Sequence, residues 1–266
     1  MLKSRKGTTN VIATMLIFII MIASMGVLYS RISPTIFGFE ATTQANNQEF
    51  VMYSIANAVT DLVSSAEDAQ NRAKIISKGA IYSINSGYLL DFNITGTPGP
   101  ILFNSQIGSF TGNVTAEFQG RSGISYFGRN TQENSFVNWN TTTSDNFVSK
   151  VEYVNDEARF SLYFRSRIEI SEQLPNGQYD ITIIVIKLEF NPDFVDFPID
   201  LDEWTLRLRR RASNITEFPS QLITGDLTIL HSINGIAKPD GTYLTSSLSG
   251  EIVNIKFIEV PILLTI

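Results

Sequence analysis

The sequence predicts an α+β protein: an N-terminal membrane-spanning helix continuing into an amphipathic helix, followed by a large antiparallel β-sandwich-like domain. Three observations carry this. Residues 11–29 contain no charge, residues 40–73 contain neither Pro nor Gly and repeat apolar side chains at steps of three and four, and the chain beyond Arg72 alternates apolar and polar residues between Gly, Pro and Asn. At 266 residues the chain can bury a sizeable core without covalent staples. Only 17% of its residues are charged, against about 25% in an ordinary soluble domain, so part of it belongs in a membrane or a protein-packed interior.

The first element begins with Lys3, Arg5 and Lys6, then Gly7, Thr8, Thr9 and Asn10, before the nineteen uncharged residues 11–29. With its polar flanks this stretch can cross about 30 Å of hydrocarbon as a helix. It is apolar on all sides, as a lipid-facing or fully buried helix must be. Three cations precede it and only Arg31 closely follows, so the N-terminus belongs in the cytoplasm and the bulk of the chain outside. Removing residues 1–7 leaves 17 basic against 26 acidic residues, a distinctly acidic exported part with a net charge of −9.

Three readings of this segment compete. A cleaved secretory signal has an apolar region of about 7–15 residues ending at a small-residue site. Here the run is longer, and Ala23-Ser24-Met25-Gly26 matches that site poorly. An uncleaved anchor of a bitopic surface protein (an adhesin, a receptor or a stator-like module) is the second reading. The third rests on Lys6-Gly7 standing directly before a short polar stretch and the apolar helix.

That arrangement resembles the class III signal peptide of archaeal type IV pilin-like proteins, including archaellins and minor pilins. The resemblance covers about residues 3–72. It implies that a prepilin peptidase cuts between Gly7 and Thr8 on the cytoplasmic side, so that residues 1–7 are a leader and Thr8 becomes the mature N-terminus. It also implies that residues 8–33 are retained, wait in the bilayer and pass into a filament core. Ile12 stands at the fifth mature position, where bacterial pilins usually carry Glu, and this departure points to the archaeal branch.

Pro34 lacks an amide donor and disfavours helix at Ser33, which predicts a kink or short break there. Residues 34–73 then form the amphipathic helix, its stripe made of Phe50 or Val51, Ile55, Val59, Leu62, Ala66 and Ala69. The stripe can pack on its own β-domain, on a neighbouring subunit, or on both. Residues 74–266 form the extracellular β-rich head. Candidate strands are 75–84, 88–94, 113–118, 148–153, 159–170, 179–190, 204–209, 222–231, 242–248 and 252–266. Pro175-Asn176-Gly177 reads as a turn into the run Ile181–Ile186, which suits a strand buried on both faces. Residues 97–100 and 120–143 read as loops. About ten strands at this spacing favour the sandwich.

Composition removes most catalytic chemistry. With no Cys and one His, His231, the chain excludes disulfides, Cys-ligated zinc, iron–sulfur clusters, Cys nucleophiles and any Ser-His-Asp triad not built on His231. His231 reads as a structural or surface histidine, and no carboxylate pair stands in an aromatic setting that would suit glycoside hydrolysis. The net charge of −6 and pI near 4.9 argue against nucleic acid as a partner.

Asp193, Asp196, Asp200 and Asp202, with Glu203, supply hard oxygen ligands of the kind calcium takes. Their spacing matches no EF-hand, and the intervening Phe194, Val195, Phe197 and Pro198 read as a solvated acidic loop instead. Arg207, Arg209, Arg210 and Arg211, with Arg165 and Arg167, could form a basic patch for a phosphate or glycan. On strand spacing Arg207, Arg209 and Arg211 share one solvent face, where pairing with acidic side chains is the expected role. Asn93, Asn113, Asn140 and Asn214 each head an Asn-x-Thr sequon and become glycosylation candidates if exposed on β-edge loops. Their number is what 20 Asn among abundant Ser and Thr produces by chance.

Together with the resemblance to type IV pilin-like proteins, which implies the assembly role, these residues lead to the expectation of a non-enzymatic assembly subunit without cofactor. Its expected partners are the prepilin peptidase, similar subunits through the N-terminal helix, the membrane, and envelope or surface-layer components.

Overall fold

The computed structural model describes residues 5–76, 80–114, 123–127, 137–138, 147–154, 157–171, 177–190, 203–233, 236–245 and 248–265. Helix α1 (Arg5–Val63) has 59 residues and would be about 90 Å long at the usual rise. Two regimes of burial divide it. No side chain in residues 11–40 is buried, whereas Ala41, Gln48, Val51, Met52, Ile55, Ala56, Val59 and Leu62 are. Steps of three and four put this second set on one face, against the β-rich domain. Val51, not Phe50, belongs to it, since Phe50 is 57% exposed.

Two sequence expectations for this helix fail. Of the kink or short break expected at Ser33, the break is absent, because α1 runs continuously with Pro34 inside it. Proline removes one hydrogen bond of the ladder, and intact turns on both sides carry the helix through. The helix also ends at Val63 and not Ala73. Ser65 folds back on it, its amide donating to the Leu62 carbonyl (3.0 Å) and its hydroxyl to that of Asp61 (2.6 Å). Arg210 then donates to the carbonyls of Val63 (3.0 Å) and Ser65, placing a cation at the negative end of the helix dipole. Ala66 and Ala69 thus lie past the helix, and the strands begin at Gln70.

Fourteen strands follow among the described residues: β1 (Gln70–Ile76), β2 (Ala80–Thr95), β3 (Ile101–Val114), β4 (Gly123–Phe127), β5 (Val137–Asn138), β6 (Phe147–Val154), β7 (Glu157–Phe164), β8 (Ser166–Ile170), β9 (Gln178–Phe190), β10 (Glu203–Arg210), β11 (Asn214–Leu222), β12 (Leu227–Ile233), β13 (Ile236–Thr245) and β14 (Ile252–Thr265). They form two seven-stranded sheets. One is ordered β1-β10-β14-β9-β8-β5, with β11 also on β14; the other is ordered β13-β12-β2-β3-β7-β6-β4.

The expectation of a purely antiparallel domain is corrected here. β9 and β14 pair parallel along residues 178–190 and 252–264, and β5 and β8 are also parallel. The long chain between β9 and β14 supplies the crossover that a parallel pair needs. A second correction concerns residues 159–170, which form two strands in different sheets. The chain changes sheets at the buried Arg165, between β7 and β8.

Two apolar clusters make the core. One joins the buried face of α1 to both sheets through residues such as Tyr82, Phe110, Phe160, Trp204 and Leu208. The other lies between the sheets around Phe92, Ile183, Ile229 and Phe257, with the rings of Phe103 and Phe257 stacked at 3.9 Å. β9 gives Ile181, Ile183 and Val185 to the second cluster, then Ile186 and Leu188 to the first; β14 gives Val253, Ile255 and Phe257, then Val260, Ile262 and Leu264. Val185 pairs with Glu259 and Ile186 with Val260. Successive side chains of a strand point to opposite faces, so both strands exchange their buried face at the same register. Glu259 sits at that exchange.

Candidate functional site

The chemically distinctive surface of the molecule is the first half of α1. It is long and apolar enough to cross a membrane, and none of its most apolar stretch is buried in the chain's own fold. Phe18, Ile19, Met25 and Tyr29 are each at least 65% exposed. An exposed apolar run of this length is unfavourable in water and marks a surface suited to an apolar environment. Several hydroxyls within and just beyond it are satisfied internally: Ser24 donates to the Ile20 carbonyl (2.7 Å), Ser30 to Val27 (2.9 Å) and Thr42 to Gly38 (2.8 Å). Such back-bonding lets polar side chains enter an environment without water.

Lys6, Gly7 and Thr8 all lie in the first turns of α1. No acidic residue offsets the dipole at this end, and Arg5 and Lys6 oppose it. Gly7 costs about a further 1 kcal/mol of helix propensity relative to Ala. These residues make the N-terminal turn intrinsically weak.

At its other end α1 is held by a polar junction. Gln48 is fully buried, and its Nε2 donates to the Ile76 carbonyl (3.4 Å), which also accepts from the Tyr82 hydroxyl (2.6 Å). Burial pushes the Tyr82 phenol well above its ordinary value, more than offsetting the hydrogen bond with Gln48, so the phenol stays a donor. Gly112 makes room for this contact, since a Cβ there would come within 2.9 Å of Gln48 Oε1 and 3.0 Å of the Tyr82 ring.

Other sequence candidates are dispersed. Arg209 pairs with Asp68 (2.8 Å) and Arg211 with Glu189 (3.3 Å), while Arg207 faces Arg72 across the β1–β10 ladder. Arg167 pairs with Glu169 (2.8 Å), with β9 and β14 between it and Arg207, so the six arginines do not form one patch. His231 is buried on β12, its ring 6.3 Å from that of Phe92. Asp193, Asp196, Asp200 and Asp202 lie outside the described residues, and Glu203 pairs with Lys74 at 2.7 Å. Among the described residues no group of three or more His, Asp or Glu could hold a metal.

The asparagines of three sequons are described, and each lies on a strand and not in a loop. Asn93 is in β2 between β12 and β3, Asn113 near the end of β3, and Asn214 at the start of β11. The side-chain Oδ1 of Asn113 accepts from Arg159 Nε (3.3 Å), and the side-chain Nδ2 of Asn214 donates to Glu259 (3.0 Å). Asn140 lies outside the described residues.

Sequence reasoning missed the polar node at Glu259, which joins the sheets. One carboxylate oxygen accepts from the buried Ser105 hydroxyl of the opposite sheet and pairs with Lys187 (3.4 Å); the other accepts from Asn214. Burial pushes the Glu259 carboxyl upward, but the hydrogen bonds from Ser105 and Asn214 and the Lys187 charge outweigh it and hold the group below its ordinary value. The signal in the sequence was one carboxylate inside the apolar run 257–264.

No family model, curated protein or solved structure matches this chain.

Proposed function

We propose that the chain is a structural assembly subunit, of the minor-pilin type, of an archaeal type IV pilus-like or archaellum-like filament, processed between Gly7 and Thr8. The observation that carries this reading is the division of α1: one half is bare and apolar, the other is fastened into the β-rich head. Such a helix delivers a head to wherever its free half inserts. In this reading the membrane holds the free half first, with the N-terminus in the cytoplasm and the head outside; later the helices of other subunits cover it. Residues 41–62 act as the amphipathic carrier, and the two sheets form a sandwich-like head that faces the cell envelope. No catalytic step, cofactor or nucleic acid is involved.

Processing has a physical rationale at this position. The cut removes Lys3, Arg5 and Lys6, three side-chain cations that would be costly to carry into an apolar core, and leaves in their place the single α-ammonium of Thr8. It leaves Thr8 to begin the retained helix.

Replacing Gly7 with leucine tests the reading. In cells, Gly7→Leu leaves the chain about 7 residues longer at its N-terminus and confined to the membrane, without appearance in surface filaments, while the head folds as before. Normal processing and filament incorporation of Gly7→Leu would contradict it.

A further inference from the structure

Between Thr8 and Gln48 the chain carries only two charged side chains, Arg31 and Glu40; the remaining charge of the processed helix is the α-ammonium of Thr8, 23 residues before Arg31. Arg31 and Glu40 are both exposed on α1, and neither takes part in an ion pair among the described residues. They are nine residues apart, so along one helix they stand about 13.5 Å apart and about 180° around its axis. They cannot meet within one chain. Around them the helix shows Ile32, Ile36, Phe37 and Phe39 at 46–75% exposure. This segment is thus as uncovered as the membrane stretch while lying just beyond it.

We infer that the occupant of this segment is a second copy of the chain, lying parallel and displaced along the helix axis by about nine residues, with Arg31 of one copy paired to Glu40 of the next. The inference rests on the assembly reading above and gives it a register. All copies insert with the same polarity, so their helices run parallel. A shift of about 13.5 Å brings Arg31 level with the neighbour's Glu40. In an apolar helical core an unpaired charge is expensive, and pairing the two lone charges offsets that cost. Because the residues occupy opposite faces, the contact is heterologous: a copy that donates Arg31 on one side still presents Glu40 on the other. Such a contact does not close on itself in a two-fold dimer and propagates along an axis.

The test uses the full chain in its native membranes and reads the ladder of multimers formed with a lysine-reactive cross-linker. Arg31→Glu and Glu40→Arg are each expected to reduce species larger than a dimer by about tenfold, and the exchange carrying both substitutions to restore them. Independently, the absence of native cysteine makes Arg31→Cys/Glu40→Cys informative. A disulfide needs Cα atoms within about 7 Å, so oxidation of this pair can link only different chains. It should give a reducible ladder, while Arg31→Cys/Thr42→Cys gives none.

A wild-type ladder that neither single reversal weakens, or that the exchange fails to restore, overturns the proposed register and leaves the assembly reading intact. An oxidised product of Arg31→Cys/Glu40→Cys that stops at dimers also overturns it. Absence of any wild-type ladder removes both.

Discussion

Replacing Glu259 with alanine is expected to destabilise the head by about 2–4 kcal/mol, the cost of breaking a buried hydrogen-bonded charge network. Ser105 is 4% exposed and would be left without its acceptor in the opposite sheet, while Lys187 and Asn214 lose their common partner. Glu259→Gln keeps the shape and removes the charge, and should cost about half as much. Urea unfolding of the full chain in detergent, followed by tryptophan fluorescence, measures both.

The same node makes stability depend on pH in a defined direction. The folded carboxyl is held below its ordinary value of 4.5, so its contribution is complete above that value and is lost as the pH falls through the lower folded one. The difference between wild type and Glu259→Gln should therefore be constant near neutrality and shrink below pH 4.5. A difference that grows on acidification would contradict the assigned ionisation.

Ile55→Ala is the second large effect. Ile55 is fully buried where α1 meets both sheets, and its truncation is expected to cost about 2–5 kcal/mol through lost burial and a residual cavity. Phe50, five residues away and 57% exposed, should change stability by about 0.5 kcal/mol or less when replaced by alanine. Equal effects would mean that the helix presents a different face to the head. A large effect of Phe50→Ala confined to assembled filaments would instead place that ring against a neighbouring subunit.

How much was legible in the sequence depended on how local the cause was. The uncharged run 11–29 is written in continuous apolar composition, and the strands at residues 178–190 and 252–265 in dense apolar residues with few interruptions; they stand where the pattern puts them. β3 was largely missed because Asn104, Ser105, Gln106, Gly108 and Gly112 interrupt it. Two of those interruptions have tertiary causes: Ser105 reaches Glu259 in the other sheet, and Gly112 yields space to Gln48. β11 was missed for the opposite reason. Bonded among the described residues only to β14 and mostly exposed, it tolerates Pro219 and needs no alternating pattern.

The end of α1 at Val63 depends on Arg210, 147 residues later, which caps it. No periodicity within residues 40–73 could announce that contact. Parallel pairing of β9 and β14 is likewise invisible to period-two patterns, which report burial and not strand direction. For the first half of α1, the sequence showed an apolar helix. The structure adds that its free half finds no cover among the described residues.

The central claim is that the bare half of α1 is a retained, processed assembly helix, and the N-terminal residue of the mature protein from native membranes tests it most directly. Sequencing or intact-mass measurement should find a chain beginning at Thr8. A chain that retains Met1 and residues 2–7 would contradict the account and leave an uncleaved, membrane-anchored surface protein; a chain beginning after residue 23 would mark a secretory signal instead.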